Sequence, residues 1–206
     1  MWSWVEHVAG LVAVYPLCAL AAVFLAAIIE AVAVLGILIP GTPILMAVAG
    51  AAAMAGQSMT PFLVLSILGA VVGDFVSFWA GKRFSCRLVR LWPFSGRPEL
   101  MGNAERFFRR YGTASVALCR FVPVLRSTVP LVAGMAGMHQ RRFLAANVTS
   151  ALVWAPVHIY PAQLMGISLN EIKDGSWSNA LIWGVLILTG CAIAWVAHRA
   201  VLARLR

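Results

Sequence analysis

The sequence predicts an all-α polytopic membrane protein. About four transmembrane helices, two opposed re-entrant hairpins in an inverted repeat and a short amphipathic cytoplasmic helix are expected. Three observations lead there. The 206 residues are 62% hydrophobic and 11% charged, with a mean hydropathy of +0.88, whereas soluble domains run at roughly 45–50% apolar and about 25% charged. Apolar stretches of spanning length recur along the chain. Basic residues cluster beside those stretches, where they orient a membrane protein and touch anionic lipid. Residues 1–206 are therefore read as one membrane domain.

A spanning helix needs about 20 mostly apolar residues. The first such window, 8–29, has no basic stretch before it and is too long for a signal peptide, so it is expected to remain as a span. The next, 31–56, is broken near its middle by Pro40-Gly41-Thr42-Pro43. Further apolar windows of spanning length follow at 60–81, 143–165 and 179–198. Another, 112–138, is again broken by proline and glycine.

Charge parity fixes how these thread. Lys82, Arg83, Arg87, Arg90, Arg97, Arg106, Arg109 and Arg110 crowd 82–110, and Arg141 and Arg142 follow 112–138. The positive-inside rule puts both groups in the cytoplasm. The run between them crosses twice or not at all, and it is too short to cross twice. It must dip in and return, turning near Pro123. Residues 143–165 then lead out, the loop 166–178 lies outside, and 179–198 returns to Arg199, Arg204 and Arg206. Both termini are expected in the cytoplasm.

By length alone 31–56 could span once, but its central break favours a second hairpin entering from outside. An internal echo agrees: Thr42-Pro43 then Ala49-Gly50, against Thr128-Val129-Pro130 then Ala133-Gly134. Each precedes a span, and the two spans run in opposite directions, which is the layout of an inverted repeat. Between the halves, Trp92–Pro98 reads as a turn-rich connector. Leu100, Ala104, Phe107, Phe108 and Tyr111 recur at helical spacing among arginines, a short amphipathic helix anchored at the interface.

The net charge of +9 would suggest nucleic acid in a soluble protein. Here it follows from orientation, and no nucleic-acid partner is expected. Cys18, Cys86, Cys119 and Cys191 are too scattered for a metal site or redox pair. His7, His139, His158 and His198 form no ligand cluster, so neither metal nor cofactor is expected. Asn147, Trp154, His158, Tyr160 and Gln163 lie together in one span, as packing or as a cavity lining.

The informative residues are Glu30, Asp74, Arg120 and Arg126. A charged side chain in hydrocarbon costs at least about 2.5 kcal/mol on insertion scales, so it faces a partner or a wet cavity. Arg120 and Arg126 would point about 120° apart on a straight helix, but Pro123 bends the chain between them. Both guanidinium groups could then converge on one anion, gripping phosphate or carboxylate through paired hydrogen bonds. The alternative is that each arginine pairs with Glu30 or Asp74 and holds helices together. Glu30, at the end of the first span, could also carry a proton. Asp74 follows Gly69 and Gly73, which let another helix approach closely, and could pair with Arg83, Arg120 or Arg126 or serve a proton or substrate role itself.

At these residues the chain resembles the DedA family, the bacterial branch of the VTT-domain membrane proteins, over roughly residues 25–165. The resemblance rests on Glu30 with Pro40-Gly41 and Ala49-Gly50, and on Gly73-Asp74 with Phe78-Trp79 and Gly81-Lys82-Arg83. Its most specific part runs from Phe107-Phe108-Arg109-Arg110-Tyr111-Gly112 into Arg120-Phe121-Val122-Pro123-Val124-Leu125-Arg126, then Val129-Pro130, Ala133-Gly134-Met135, Phe143, Asn147 and Trp154. It implies translocation of a lipid phosphate such as undecaprenyl phosphate, or of phospholipid, across the inner membrane, with protons as the candidate coupling ion. Glu30, Arg120 and Arg126 match the family's functional acid and arginine pair. One position departs: Thr42 stands where many members place Asp or Glu. That departure weakens the case for proton coupling, and it mildly favours the alternative of a phospholipid flippase or scramblase. A lipid-modifying enzyme would need a histidine nucleophile with a second histidine, a spacing this sequence lacks.

The threading is open to test by single-cysteine labelling in intact cells, on a background without the native cysteines. Positions 110 and 141 should both resist impermeant reagent from outside. Labelling at 141 but not at 110 would remove the hairpin between them.

Overall fold

A computed structural model describes residues 2–33, 35–88 and 98–173, and all the regular structure in them is helical. Ten helices follow in order among the described residues: α1 (Trp2–Val14), α2 (Pro16–Ala31), α3 (Leu35–Leu38), α4 (Gly41–Met54), α5 (Thr60–Leu88), α6 (Pro98–Tyr111), α7 (Ala114–Leu118), α8 (Pro123–Arg126), α9 (Thr128–Met135) and α10 (Gln140–Lys173), with a 3₁₀ turn at Cys119–Phe121 before α8. Two helices are long and apolar enough to cross a membrane, Thr60–Phe84 and Gln140–Ile172, or three if α1 and α2 count as one bent span. The expected span 179–198, the connector through Arg97, and Arg199, Arg204 and Arg206 lie outside the described residues.

The first span departs from expectation. The window 8–29 is two helices, which meet at 104°. Pro16 opens α2, and Tyr15 before it sits at φ −122°, ψ 64°. A proline ring bars the preceding residue from the α region and has no N–H to continue the ladder. Hydropathy runs unbroken across this point, so composition hides the bend. The third span also differs, because its helix runs on from 166 to Lys173 through residues expected as loop.

Both proline-glycine windows are broken into short helices. In the first, α2 ends at Ala31 and Pro40 stands extended (φ −72°, ψ 98°) as the N-cap of α4. In the second, Val122 is extended at φ −115°, ψ 105°, and Pro123 opens α8.

Small residues bring the helices into backbone contact around α5. A Cβ at Gly69 would lie 2.6 Å from the Phe24 carbonyl oxygen, and one at Gly73 would lie 2.7 Å from that of Ile28, so α2 lies directly against α5. On α9, a Cβ at Gly134 would meet the Phe78 oxygen of α5 at 2.0 Å. On α4, a Cβ at Gly50 would meet the Ala162 oxygen of α10 at 3.2 Å. The Ala-Gly pair of each broken segment thus rests on the long helix that follows the other one.

Helix α6 is amphipathic as expected, but its apolar face turns inward. Met101, Ala104 and Phe107 are buried with Cys119, Val122, Leu125, Val129 and Val132 of the second broken segment. Arg106 and Arg109 remain exposed. The helix covers protein with the face that a surface anchor would give to lipid.

Gly134→Ala should therefore cost about 3 kcal/mol, because the obstructing atoms are backbone and cannot swing away. Gly102→Ala, where nothing lies within 4 Å, should instead stabilise α6 by about 0.5–1 kcal/mol. Thermal unfolding in detergent compares the two.

Candidate functional site

Glu30 lies in the last turn of α2, and Asp74 follows Gly73 on α5. The glycine contact between these helices therefore brings both carboxylates into the interior, and both are buried. Arg120 comes from the 3₁₀ turn and Arg126 from the end of α8, on either side of the extended Val122. That break replaces the divergence of a straight helix with convergence, and both arginines are buried as well.

The four charges form two ion pairs. Arg126 Nη1 donates to Glu30 Oε1 at 2.5 Å. Arg120 Nη2 donates to Asp74 Oδ2 and also to Asn147 Oδ1 on α10. The Asn147 amide in turn donates to the Val71 carbonyl at 3.1 Å, tying α10 to α5. Thr42, in the first turn of α4, donates its hydroxyl to the same Glu30 oxygen that Arg126 uses. Gly41 makes this approach feasible, since a Cβ there would stand 2.4 Å from the Ala26 oxygen and 2.8 Å from Glu30 Cβ.

Partners remain incomplete inside this cluster. Arg120 Nε and Nη1, Glu30 Oε2, Ser127 Oγ and Trp154 Nε1 are buried without a hydrogen-bond partner. Buried polar atoms are nearly always paired, so such a concentration calls for an explanation.

Of the remaining sequence candidates, Pro40, Gly41, Thr42 and Pro43 form the start of α4 beside Glu30, while Pro123 starts α8 and Pro130 lies within α9. Asn147 and Trp154 reach the charges. Tyr160 and Gln163 do not, and instead line a separate cavity of about 330 Å³ with Gln57, Ser58, Met59, Thr60 and Leu63. His158 Nδ1 lies 2.8 Å from the Trp154 carbonyl oxygen of its own helix. Among the described residues, no group of three or more His, Cys, Asp or Glu could hold a metal ion.

One residue escaped the sequence reading, and another was noted there without its contact to the charges. Ser77 on α5 accepts the Ala33 N–H at 2.9 Å and lies 3.2 Å from the Ala31 oxygen, so it caps the chain where α2 stops. Its position four residues after Gly73 was the available signal. The other is Trp154, whose ring lies under both guanidinium groups, with Arg126 Cζ 4.8 Å and Arg120 Cζ 5.8 Å from its centroid.

Removing one charge from a buried pair leaves the other uncompensated, at about 3–5 kcal/mol. Asp74→Asn should lose stability on that scale. Asp74→Leu combined with Arg120→Met should recover most of the loss. A double-mutant cycle on thermal unfolding measures both, and additive losses would show that the pair does not act as one unit.

The VTT domain family matches residues 39–164. The chain is 33% identical over 198 residues to the inner membrane protein YabI of Escherichia coli, covering 95% of this chain and 75% of that protein. It is 30% identical over 187 residues to the E. coli protein DedA, covering 89% and 84% respectively. An uncharacterised membrane protein of Mycobacterium tuberculosis is 36% identical over 160 residues, covering 75% and 71%. No solved structure matches the chain.

Proposed function

This chain belongs to the DedA/VTT-domain family of membrane proteins, and from that premise we propose that it moves a lipid phosphate, such as undecaprenyl phosphate, across the inner membrane. The observation that carries the reading is the state of Arg120. Buried among apolar helices, it gives only Nη2 to Asp74 and Asn147, while Nε and Nη1 stand unpartnered. Arginine keeps its charge under all physiological conditions and offers a rigid array of donors to phosphate oxygens. Arg126 adds a second cation nearby. The headgroup binds between the two arginines while its tail stays in lipid.

In this reading the breaks at Pro40, Gly41, Thr42 and Pro43, and at Pro123 and Pro130, are the bends of two opposed re-entrant hairpins. The chain is multi-pass with both termini in the cytoplasm, and residues 1–206 act as one membrane domain. Two arginines and two carboxylates balance at neutrality. An entering anion upsets that balance unless Glu30 or Asp74 gives up its arginine and takes a proton. At position 42, however, Thr42 presents a hydroxyl to Glu30 where a second carboxyl would supply a proton-carrying partner. Transport is therefore expected to depend only weakly on a pH gradient. That same hydroxyl favours the second reading, a phospholipid flippase or scramblase, in which no proton is needed.

Proteoliposomes loaded with labelled polyprenyl phosphate, or with labelled phospholipid, separate the two readings. Wild type should move the polyprenyl phosphate with or without an imposed gradient, and Thr42→Asp should make movement gradient-dependent. Arg120→Lys and Arg126→Lys should each fold yet lose most transport, since lysine keeps the charge but not the paired grip. Wild-type rates in both lysine variants would reject the headgroup role, and movement of phospholipid alone would select the second reading.

A further inference from the structure

The arginines have one partner that no headgroup can displace. Trp154 is buried on α10, two turns from Asn147, a seven-residue spacing that puts both side chains on one helix face. Its ring faces Arg126 Cζ at 4.8 Å and Arg120 Cζ at 5.8 Å. Both distances fall within the roughly 6 Å over which a cation is drawn to an aromatic face, and tryptophan offers the strongest such face. The indole is itself fixed, with the His158 ring 4.5 Å from its centroid and His158 Nδ1 on its backbone oxygen.

The carboxylates are exchangeable partners, because an anion competes with them for the same N–H groups. The ring does not compete in this way, because it offers no acceptor oxygen and draws the cation to its π face. It also carries no titrating group on its face, so its attraction does not change as protons or headgroups come and go.

We propose that Trp154 is a positioning residue that holds Arg120 and Arg126 at a fixed separation when a phosphate headgroup replaces Glu30 or Asp74. The proposal rests on the headgroup reading above and assigns the spacing of the arginines to the uncharged partner that both of them share. Two cations held over a single ring form a preorganised site, which needs no rearrangement as the anion enters.

The test must weaken the ring face without changing its shape. Mono-, di- and trifluorotryptophan introduced at position 154 do this, because each fluorine draws electron density from the ring at nearly constant volume. Binding of farnesyl phosphate is measured for each variant in phosphatidylethanolamine–phosphatidylglycerol nanodiscs. Affinity should fall stepwise, by about tenfold across the series, the scale of a desolvated cation–π contact. Trp154→Phe should restore part of what Trp154→Leu loses. A flat fluorine series beside a collapse of binding in Arg126→Lys would leave the headgroup site standing and reduce Trp154 to packing. A wild type that binds no farnesyl phosphate would reject the proposed function instead. In that event thermal unfolding decides on Trp154 without ligand. Fluorination should lower the melting temperature more in Glu30→Gln than in wild type, and equal shifts in both would overturn the proposal.

Discussion

Two arginines and two carboxylates can stay ionised among apolar helices only while each charge touches an opposite one, and much of this bundle is arranged around that requirement. An unpaired charge would cost several kcal/mol, comparable to a large part of a domain's net stability. The pairs join elements far apart in sequence, α2 to α8 and α5 to the 3₁₀ turn before α8. The two acids must also lie side by side, which the approach of α2 to α5 at Gly69 and Gly73 supplies, while Gly41 admits Thr42 to Glu30. The pairing further needs the helices to stop at the right residue, which Pro40, Val122 and Ser77 arrange. The glycines, the breaks and the charges are parts of one condition.

The two broken segments complete that condition by an exchange. The Ala-Gly pair of α4 rests on α10, and that of α9 rests on α5. Neither segment leans chiefly on the long helix that follows it in sequence. The centre is therefore built from both halves of the chain, and neither half could hold its charges alone. Helix α6 closes one side by laying its apolar stripe over the second segment.

Much of this was legible beforehand because membrane physics penalises the informative residues so heavily. Glu30, Asp74, Arg120 and Arg126 stood out as charges without water, and Pro123 as the bend that lets arginines converge. Which acid meets which arginine was not legible, since that depends on the register of α2 against α5, and the glycines permit close approach at more than one register. The bend at Tyr15-Pro16 escaped because apolar composition continues across it. The inward face of α6 escaped because the same amphipathic stripe suits lipid or protein. Trp154 was noted only as one of several polar or aromatic residues in a span, and nothing in its sequence neighbours points to arginines on another element.

Gly69, Gly73, Ser77 and Gly81 fall four residues apart along α5, and so lie in a single oblique row on its surface. A Cβ at Gly81 would meet the Leu131 oxygen of α9 at 2.1 Å, so the row seats α2 at one end and α9 at the other. Val64, Leu68, Val72 and Val76 lie outside it and are exposed. Adding or deleting one residue between Gly69 and Gly81 would turn one end of the helix by about 100° relative to the other. One neighbour would then face a bulky side chain in place of the row. Along this stretch the chain is free to change its outward letters but not to change their number.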